Sequence, residues 1–366
     1  MKLRYQIPFQ DKSFFSIILI WIVTSIIYTI PLFYLINKTD YQSITFGTWI
    51  IFIVVISFSL GVFHSIFELV IFREFQYRLN SFFSLLLKTI LFSFAYLATS
   101  VIFIIIKNSL LVFLGVEDKI IENELEIFLK TDTLYWFGLI IVILSFTINF
   151  LLQVKSKLGS KVLVNLFFEK YKKPKVEKKI LMFLDISDST TIAEKIGMYK
   201  FSSLLQNFFK DIDPAIIKSR GIIYQFVGDE VIITWDIKDG VDNYNCIKFF
   251  FEAKKILDKN RNKYITKYGV HPEFKAGIHI GDVIITEVGI SKQEITYHGD
   301  TINTTARIRS MCNNFAKNLL VSAELLSLLP DLDDKFNVEA NGVIQLKGKK
   351  NAVALFSIED RFAMDV

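Results

Sequence analysis

The sequence predicts an α+β protein in two parts: an N-terminal four-helix transmembrane domain, followed by a domain with a βαββαβ core. Two observations support this prediction. Hydrophobic residues make up 52% of the 366 residues, and the mean hydropathy of +0.41 is too high for an ordinary soluble protein. This apolar excess is confined to the first 155 residues, whereas the rest of the chain alternates between strand and helix patterns.

The transmembrane domain is predicted to span residues 1–154. Crossing the hydrocarbon core of a bilayer takes about 20 apolar residues in a helix. The first apolar run is longer than the core of a typical signal peptide and lacks a small-residue cleavage site, so we expect it to be retained. The four predicted spans lie near 13–36, 47–71, 82–106 and 134–154.

The distribution of charge between these spans predicts their orientation. Basic residues precede the first span, occupy the second loop and follow the fourth span, while the third loop is acidic. By the positive-inside rule, both termini are cytoplasmic in an integral protein of the cell inner membrane, where nucleoside triphosphates are available to the C-terminal half. The basic residues are Lys2, Arg4, Lys12, Arg73, Arg78, Lys155, Lys157 and Lys161.

A lysine-rich segment, residues 155–178, separates the two domains. Apolar residues at helical spacing predict a short amphipathic helix that ends by Pro174; either a coupling helix or a passive tether fits this pattern. The lysines are typical of a solvated stretch attracted to the lipid bilayer. No nucleic-acid-binding fold signature accompanies them, so we expect no nucleic acid partner. Cys246 and Cys312 fit no zinc-site spacing and are expected to be reduced.

The C-terminal domain is predicted to cover residues 179–360 as an α+β sandwich with one helical face. Gly228-Asp229 and Gly281-Asp282 are read as turns between strands. The predicted strands are 179–186, two within 221–235, two within 274–289, and 293–298, with helices over 189–219, 240–267 and 300–313 and a hairpin around 346–351.

Three segments of this domain contain residues suited to chemistry on a phosphate: FLDIS (183–187), GDEV (228–231) and YHGDTINTTARI (297–308). Asp185 ends a strand and Asp229 lies in a turn, so the sheet can bring two hard oxygen ligands for Mg²⁺ together. Residues 186–190 precede a helix, where free N–H groups bind phosphate oxygens, although Ser189 or Thr190 also fits the helix N-cap. Asn303 and Arg307 are four residues apart, on one helix face.

In this order the segments resemble the class III adenylate/guanylate cyclase catalytic domain, over residues of about 178–360. The resemblance implies a ferredoxin-like fold and a homodimer whose sites are shared between subunits. It further implies two Mg²⁺ or Mn²⁺ ions per site on Asp185, the Ile186 carbonyl and Asp229, with Asn303 and Arg307 as catalytic residues. The nucleoside triphosphate would contact Ser187, Asp188, Ser189, Thr190, Gln225, Gly228, Thr296 and, in the segment LKGKK, Lys347.

The resemblance leaves the base open. Adenine-selecting members usually have Lys at position 225 and Asp or Thr at 296, whereas this chain has Gln225 and Thr296; Gln donates and accepts hydrogen bonds, so it suits either base. ATP is the first choice, GTP the second, and a receptor that binds nucleotides with little turnover is the alternative. Asp188 stands where the family usually has Gly. Within the spans, Glu68 is expected to pair with Lys88, and His64 to be a packing residue.

Overall fold

The computed structural model describes residues 12–36, 46–68, 80–113, 132–158, 169–345 and 352–361. The chain divides into two compact units, Met1–Val164 and Asn165–Val366. Most of the predicted coupling helix, and the segment with Lys347, lie outside the described residues.

The N-terminal unit contains four long helices among the described residues. Each coincides with a predicted span. The segment Ser81–Ile102 is long and apolar enough to cross a membrane, while the apolar stretches of the other helices are shorter within the described residues. Four membrane crossings therefore stay a prediction. The helices are α1 (Lys12–Ile36), α2 (Phe46–Ile66), α3 (Ser81–Phe113) and α4 (Asp132–Leu158).

A small aromatic and polar core joins these helices. Trp21 on α1 is fully buried, and its indole N–H donates a hydrogen bond of 2.9 Å to Nδ1 of His64 on α2. The His64 ring stacks on Phe92 of α3 at 3.8 Å, which fits the predicted packing role. The expected ion pair is confirmed, since Lys88 Nζ lies 2.7 Å from the Glu68 carboxylate. The attraction between the two charges offsets part of the cost of removing them from water.

The C-terminal unit is built on one mixed sheet with the strand order β2-β3-β1-β4-β6-β8-β7, and β5 pairs with β4. Strands β2, β3, β1 and β4 form the antiparallel arrangement of a βαββαβ unit, as predicted, and β4 pairs in parallel with β6. The strands are β1 (Lys175–Ile186), β2 (Ile222–Val227), β3 (Glu230–Asp236), β4 (Phe274–Val288), β5 (Glu294–His298), β6 (Leu319–Ser322), β7 (Phe336–Ile344) and β8 (Val353–Asp360).

Both faces of the central strand β1 are buried. Successive side chains point to opposite sides of a sheet, so the two faces of β1 pack against different elements. Ile180 and Met182 pack against α6 and α8, whereas Leu181 packs with Val283 on the other side. That second side is covered in part by α10, so the prediction of one helical face was wrong. The helices are α5 (Ser189–Ile196), α6 (Met198–Lys218), α7 (Ile237–Val241), α8 (Asn245–Lys259), α9 (Arg261–Tyr268), α10 (Asp300–Phe315) and α11 (Ala323–Leu326).

Two glycines differ in their structural role from what the sequence predicted around them. Gly281-Asp282 is not a turn, since β4 continues through both residues in register with β1. Gly281 instead allows α10 to approach: a Cβ there would lie 2.5 Å from the Thr301 hydroxyl. Gly197, at φ +83°, ends α5 and begins α6, so the helix predicted over 189–219 is two helices. The close approach at Gly281 positions the helix that carries Asn303 and Arg307.

Candidate active site

The ends of three strand segments bring the predicted acidic residues together. Asp185 is the penultimate residue of β1 and pairs across the sheet with Glu230, the first residue of β3. Gly228 and Asp229 form the two-residue connection between β2 and β3, and Gly228 has φ +64°, as such tight hairpins require. Asp229 is thereby placed beside Asp185, as the sequence predicted.

A guanidinium lies between two of these carboxylates. Arg309 Nη1 is 2.9 Å from Asp185 Oδ2, and Nη2 is 3.0 Å from Glu230 Oε2. The Arg309 Nε–H also donates to Glu230 Oε2, at 3.0 Å. The side chains are 22%, 13% and 29% exposed for Asp185, Glu230 and Arg309, so these contacts are shielded in part from water.

The electrostatics of this cluster disfavour its negative charge. Burial raises the pKa of the Asp185 carboxyl; the Arg309 guanidinium opposes that effect, and the neighbouring Asp229 adds to it. Burial also raises the pKa of Glu230, again against Arg309. Crowded carboxylates whose ionised form is disfavoured are characteristic of a site that receives a cation.

The loop after β1 forms a cavity of about 290 Å³ next to Asp185. Asp188 has φ +53°, a left-handed conformation that favours Gly and that Asp tolerates. Asp188 also occupies the cap position of α5, but no side-chain hydrogen bond caps this helix, so its first N–H groups keep no such partner. The cavity is lined by Asp185, Ile186, Ser187, Asp188, Ser189, Thr190, Thr191, Lys275, Arg309 and Asn313.

Asn303 and Arg307 lie on α10, as predicted, but they are not brought to this cavity. Asn303 is exposed and Arg307 half-buried. At 100° per residue, Arg309 points to nearly the opposite side of the helix from Arg307. Arg309 reaches the acidic residues of its own chain, whereas the face with Asn303 and Arg307 is turned away from them.

The two residues expected at the base lie on β2 and β5. Gln225 is exposed, next to a bulge in β2 at Tyr224. Tyr224 stacks on Tyr297 at 4.3 Å, and its hydroxyl accepts a 3.0 Å hydrogen bond from the Tyr297 N–H. Thr296, beside Tyr297, donates to the Thr286 carbonyl at 3.3 Å and lies 2.9 Å from His298 Nε2. The tyrosine contact holds the strands of Gln225 and Thr296 near each other.

Comparisons with known proteins identify the family of the C-terminal unit. Residues 171–359 match the model of the adenylate and guanylate cyclase catalytic domain, half of the chain. The chain belongs to this family. It is 32% identical over 212 residues to Adenylate cyclase 2 of Rhizobium meliloti (strain 1021), covering 58% of each chain. The chain thus spans little more than half the length of this curated relative.

Two solved structures resemble the cyclase domain. The adenylyl cyclase CyaB from P. aeruginosa has 22% identity and a TM-score of 0.46, covering 51% of this chain and 96% of the other. The guanylyl cyclase Cya2 has 18% identity and a TM-score of 0.44, with 52% and 97% covered.

The cyclase domain contains site residues that sequence reasoning missed. Lys275 pairs with Asp185 across β1 and β4, and its ammonium donates to Asn313 Oδ1 at 2.7 Å. Arg309 and Asn313 are four residues apart on α10, so they share a helix face. That face is directed to the cavity, whereas the face of Arg307 is not. Lys275 and Arg309 are far from the segment FLDIS in the sequence. Strand pairing and helix packing bring them to it in the fold, so the linear motifs alone could not identify them.

The donor set fits Mg²⁺ or Mn²⁺. The described residues contain no group of three or more His, Cys, Asp or Glu arranged to hold a metal ion. Asp185 and Asp229 would supply the carboxylates, and the Ile186 carbonyl, substrate phosphates and water would complete the set, which is how Mg²⁺ is usually held. The Ser187 hydroxyl is buried without a hydrogen-bond partner among the described residues, so an oxygen-rich ligand at this loop would satisfy it.

Proposed function

We propose that this chain is a membrane-bound adenylate cyclase that converts ATP to 3′,5′-cyclic AMP and pyrophosphate. The observation that supports it most is the juxtaposition of Asp185 and Asp229 beside the loop cavity, in a chain of the adenylate and guanylate cyclase family. The ribose 3′-oxygen forms a bond to the α-phosphorus, the bond from that phosphorus to the bridging oxygen breaks, pyrophosphate leaves, and the 3′-hydroxyl proton passes to solvent.

Two divalent ions, held by Asp185, the Ile186 carbonyl and Asp229, would acidify the 3′-hydroxyl and offset the charge of the triphosphate. The chain's own groups position the substrate. The N–H groups of Asp188, Ser189 and Thr190 face the phosphates at a helix start, whereas the Ser187 N–H already donates to the Glu273 carbonyl and Ser187 contributes its hydroxyl. Lys275 lies at the same cavity, and Lys347 is a further phosphate contact. Arg307 stabilises charge on the α-phosphate, and Asn303 holds the ribose.

The active form is proposed to be a homodimer with shared sites. Asp185 and Asp229 of one subunit would face Asn303, Arg307 and Lys347 of the other. The supporting argument is the helix geometry: the Asn303 and Arg307 face of α10 turns away from the acidic cluster of its own chain. Within the described residues, Arg307 has no ion-pair partner and the Asn303 side chain no hydrogen-bond partner, which is compatible with their contacting a second subunit. Two-fold symmetry gives two equivalent sites.

ATP is proposed as the substrate, with GTP as the second candidate. GTP stays a candidate because of Gln225: its amide both donates and accepts hydrogen bonds, so it can pair with the edge of either purine. Thr296 has a hydroxyl of the same dual capacity, and it is already engaged by Thr286 and His298.

The N-terminal unit is proposed to cross the inner membrane four times, with both termini in the cytoplasm. The outward side chains of α3 support membrane embedding: Ile90 is 68% exposed and Phe94 is 73% exposed, while Phe92 and Tyr96 are buried. A helix that is apolar on its outer face as well as its packed face suits a lipid environment.

Mass spectrometry of the products tests the activity. The full chain, purified in detergent, is incubated with ATP or GTP and Mn²⁺, and we expect cyclic AMP to be the major product. Cyclic GMP as the major product would replace the first choice by the second, and tight ATP binding without any cyclic product would contradict the proposal of an enzyme.

Subunit mixing tests the shared sites. Asp185→Ala and Arg307→Ala chains should each be inactive, but a mixed dimer has one site with both wild-type halves. Random 1:1 mixing should therefore restore about one quarter of wild-type activity. Mixing Asp185→Ala with Asp229→Ala is the matched control, because both changes affect the same half of the site and no intact site can form. Confirmed mixed dimers without recovery would exclude shared sites.

A further inference from the structure

Arg309 makes three contacts with carboxylates of the acidic cluster. Two are to Glu230, from Nε and Nη2, and one is to Asp185, from Nη1. The Asp185 oxygen it contacts belongs to a carboxylate that a divalent cation would also use, if the proposed function holds. A guanidinium and a metal ion at the same carboxylate repel each other, so both cannot use it fully at the same time.

The acidic cluster needs a counter-charge even when no metal ion is bound. Asp185, Asp229 and Glu230 place three carboxylates at one sheet edge, and like charges at this range repel. The nearby Lys275 ammonium is directed to Asn313 instead. Arg309 is therefore the cation that offsets the cluster among the described ion pairs.

Glu230 provides a place for the guanidinium once Asp185 is taken. Two of the three nitrogens of Arg309 already converge on Glu230 Oε2. Releasing Asp185 therefore breaks one of the three contacts, while the charge of Arg309 stays paired with Glu230. Arginine suits this role because its planar group can serve two carboxylates together.

We propose that Arg309 is a built-in cation that holds Asp185 in the metal-free enzyme and is displaced onto Glu230 when a divalent ion binds. This inference rests on the proposed function, because it takes Asp185 as a metal ligand. Arg309 is a positioning residue: it orients the carboxylate and competes with the ion for it.

Mn²⁺ binding without nucleotide tests the proposal, with free Mn²⁺ measured by electron paramagnetic resonance on the full chain in detergent. Arg309→Ala removes the competitor, so we expect Mn²⁺ to bind about tenfold more tightly than to the wild type. Arg309→Lys keeps the charge but has one nitrogen, so its affinity should lie in between. Arg220→Ala, which removes an exposed arginine away from the site, is the control and should match the wild type.

Thermal unfolding gives a second readout. Arg309→Ala should unfold at a lower temperature than the wild type without metal, because the carboxylates lose their counter-charge, and Mn²⁺ should raise its Tm by more than it raises the wild-type Tm. A merely structural Arg309 predicts the first effect without the second. If Arg309→Ala does not fold, Arg309→Lys decides the outcome by the same two measurements.

The Asp185→Asn variant separates a failure of the proposed function from a failure of the Arg309 proposal. If Asp185→Asn binds Mn²⁺ as tightly as the wild type, the metal-ligand assignment and with it the proposed function are wrong. If Asp185→Asn loses Mn²⁺ binding, but Arg309→Ala and Arg309→Lys bind it no more tightly than the wild type, the proposed function stands and the displacement of Arg309 is overturned.

Discussion

The two ends of strand β1 both carry partly buried charge, but they balance it differently. Near its start, Lys179 contacts Glu177 and Asp236, and Lys170 also contacts Glu177, so two cations meet two carboxylates. At its end, Asp185 and Glu230 share the single guanidinium of Arg309, and Asp229 adds a third carboxylate.

This difference distinguishes a structural ion-pair network from the candidate binding site. At the balanced end, burial lowers the pKa of Lys179, but its carboxylate partners outweigh burial and raise it overall; the pKa of Glu177 is lowered overall by its lysines, against burial. Both partners thus favour their charged forms. At the other end burial raises the pKa of Asp185. Excess negative charge that the fold does not neutralise is available for an external cation.

The largest expected effect comes from Asp185→Asn. Because a metal contribution to transition-state charge stabilisation is worth several kcal/mol, cyclase activity should fall about 10³-fold. Without metal, the Tm at pH 8 should nevertheless rise. A carboxyl with a raised pKa contributes stability below its unfolded pKa and loses it as the pH rises through the folded pKa, and Asn mimics the protonated form.

The matched control for Asp185→Asn is Asp239→Asn, which changes an acidic residue paired at the surface with Arg220. It should leave activity unchanged. The Tm difference between Asp185→Asn and the wild type should shrink as the pH falls to about 4, where the unfolded carboxyl titrates. A lower Tm at pH 8 would mean that Asp185 is stabilising, and the contrast between the ends of β1 would fail.

Lys179→Met should produce the largest loss of stability. It leaves Glu177 and Asp236 without their shared cation. Lys179 is 10% exposed but Asp236 is 46% exposed, so the cost should lie at the low end of the range for breaking a buried pair from one side, about 3 kcal/mol. For a domain of this size the apparent Tm should fall by about 6–12 °C, measured on the full chain in detergent, with Lys179→Arg as the control that keeps the charge. The raised pKa of Lys179 implies stability that is present below about pH 10.4 and lost above it, so the deficit should shrink there.

The Glu68–Lys88 pair extends the comparison to the N-terminal unit. Its ammonium and carboxylate are in direct contact and largely buried, so the pair should behave like the balanced end of β1. Glu68→Ala and Lys88→Ala should each lower the folded yield, and the double variant should recover part of it, with a coupling of about 1 kcal/mol. Gel filtration of detergent-solubilised protein measures the yield. Ser59→Ala, which loses only a hydrogen bond to its own helix at Val55, is the control. Additive losses would mean that the two charges act independently.

Much of the fold and of the acidic site was predictable because their signals are local. The apolar run KILMFLDI predicts a strand, and Gly228-Asp229 predicts the turn between the next two strands, so the meeting of Asp185 and Asp229 followed from sheet geometry. β1 starts earlier than predicted, at Lys175, because its exposed polar residues still pair with β4. The short strand β6, Leu319–Ser322, was also missed.

What the sequence could not indicate depends on tertiary packing. Arg309 looks like any surface arginine until α10 lies against β4, and only then does it reach Asp185. The same packing explains Gly281, which was read as a turn because the need for a missing Cβ arises from Thr301, on another element. The positive φ of Asp188 explains the family's usual Gly there, but a sequence shows only the substitution.

The smallest expected effect is that of Arg220→Ala, and it tests whether burial matters as well as balance. Arg220 lies 2.8 Å from Asp242 and 3.6 Å from Asp239, one cation with two carboxylates, but its side chain is 50% exposed. Water screens such pairs, so the apparent free energy of unfolding should change by no more than about 0.5 kcal/mol. Thermal unfolding beside Lys179→Met measures the difference. If Arg220→Ala lowers the Tm as much as Lys179→Met does, burial does not set the cost of losing a cation. An excess of carboxylates at the surface would then matter as much as the excess around Asp185, and that excess would no longer indicate a binding site.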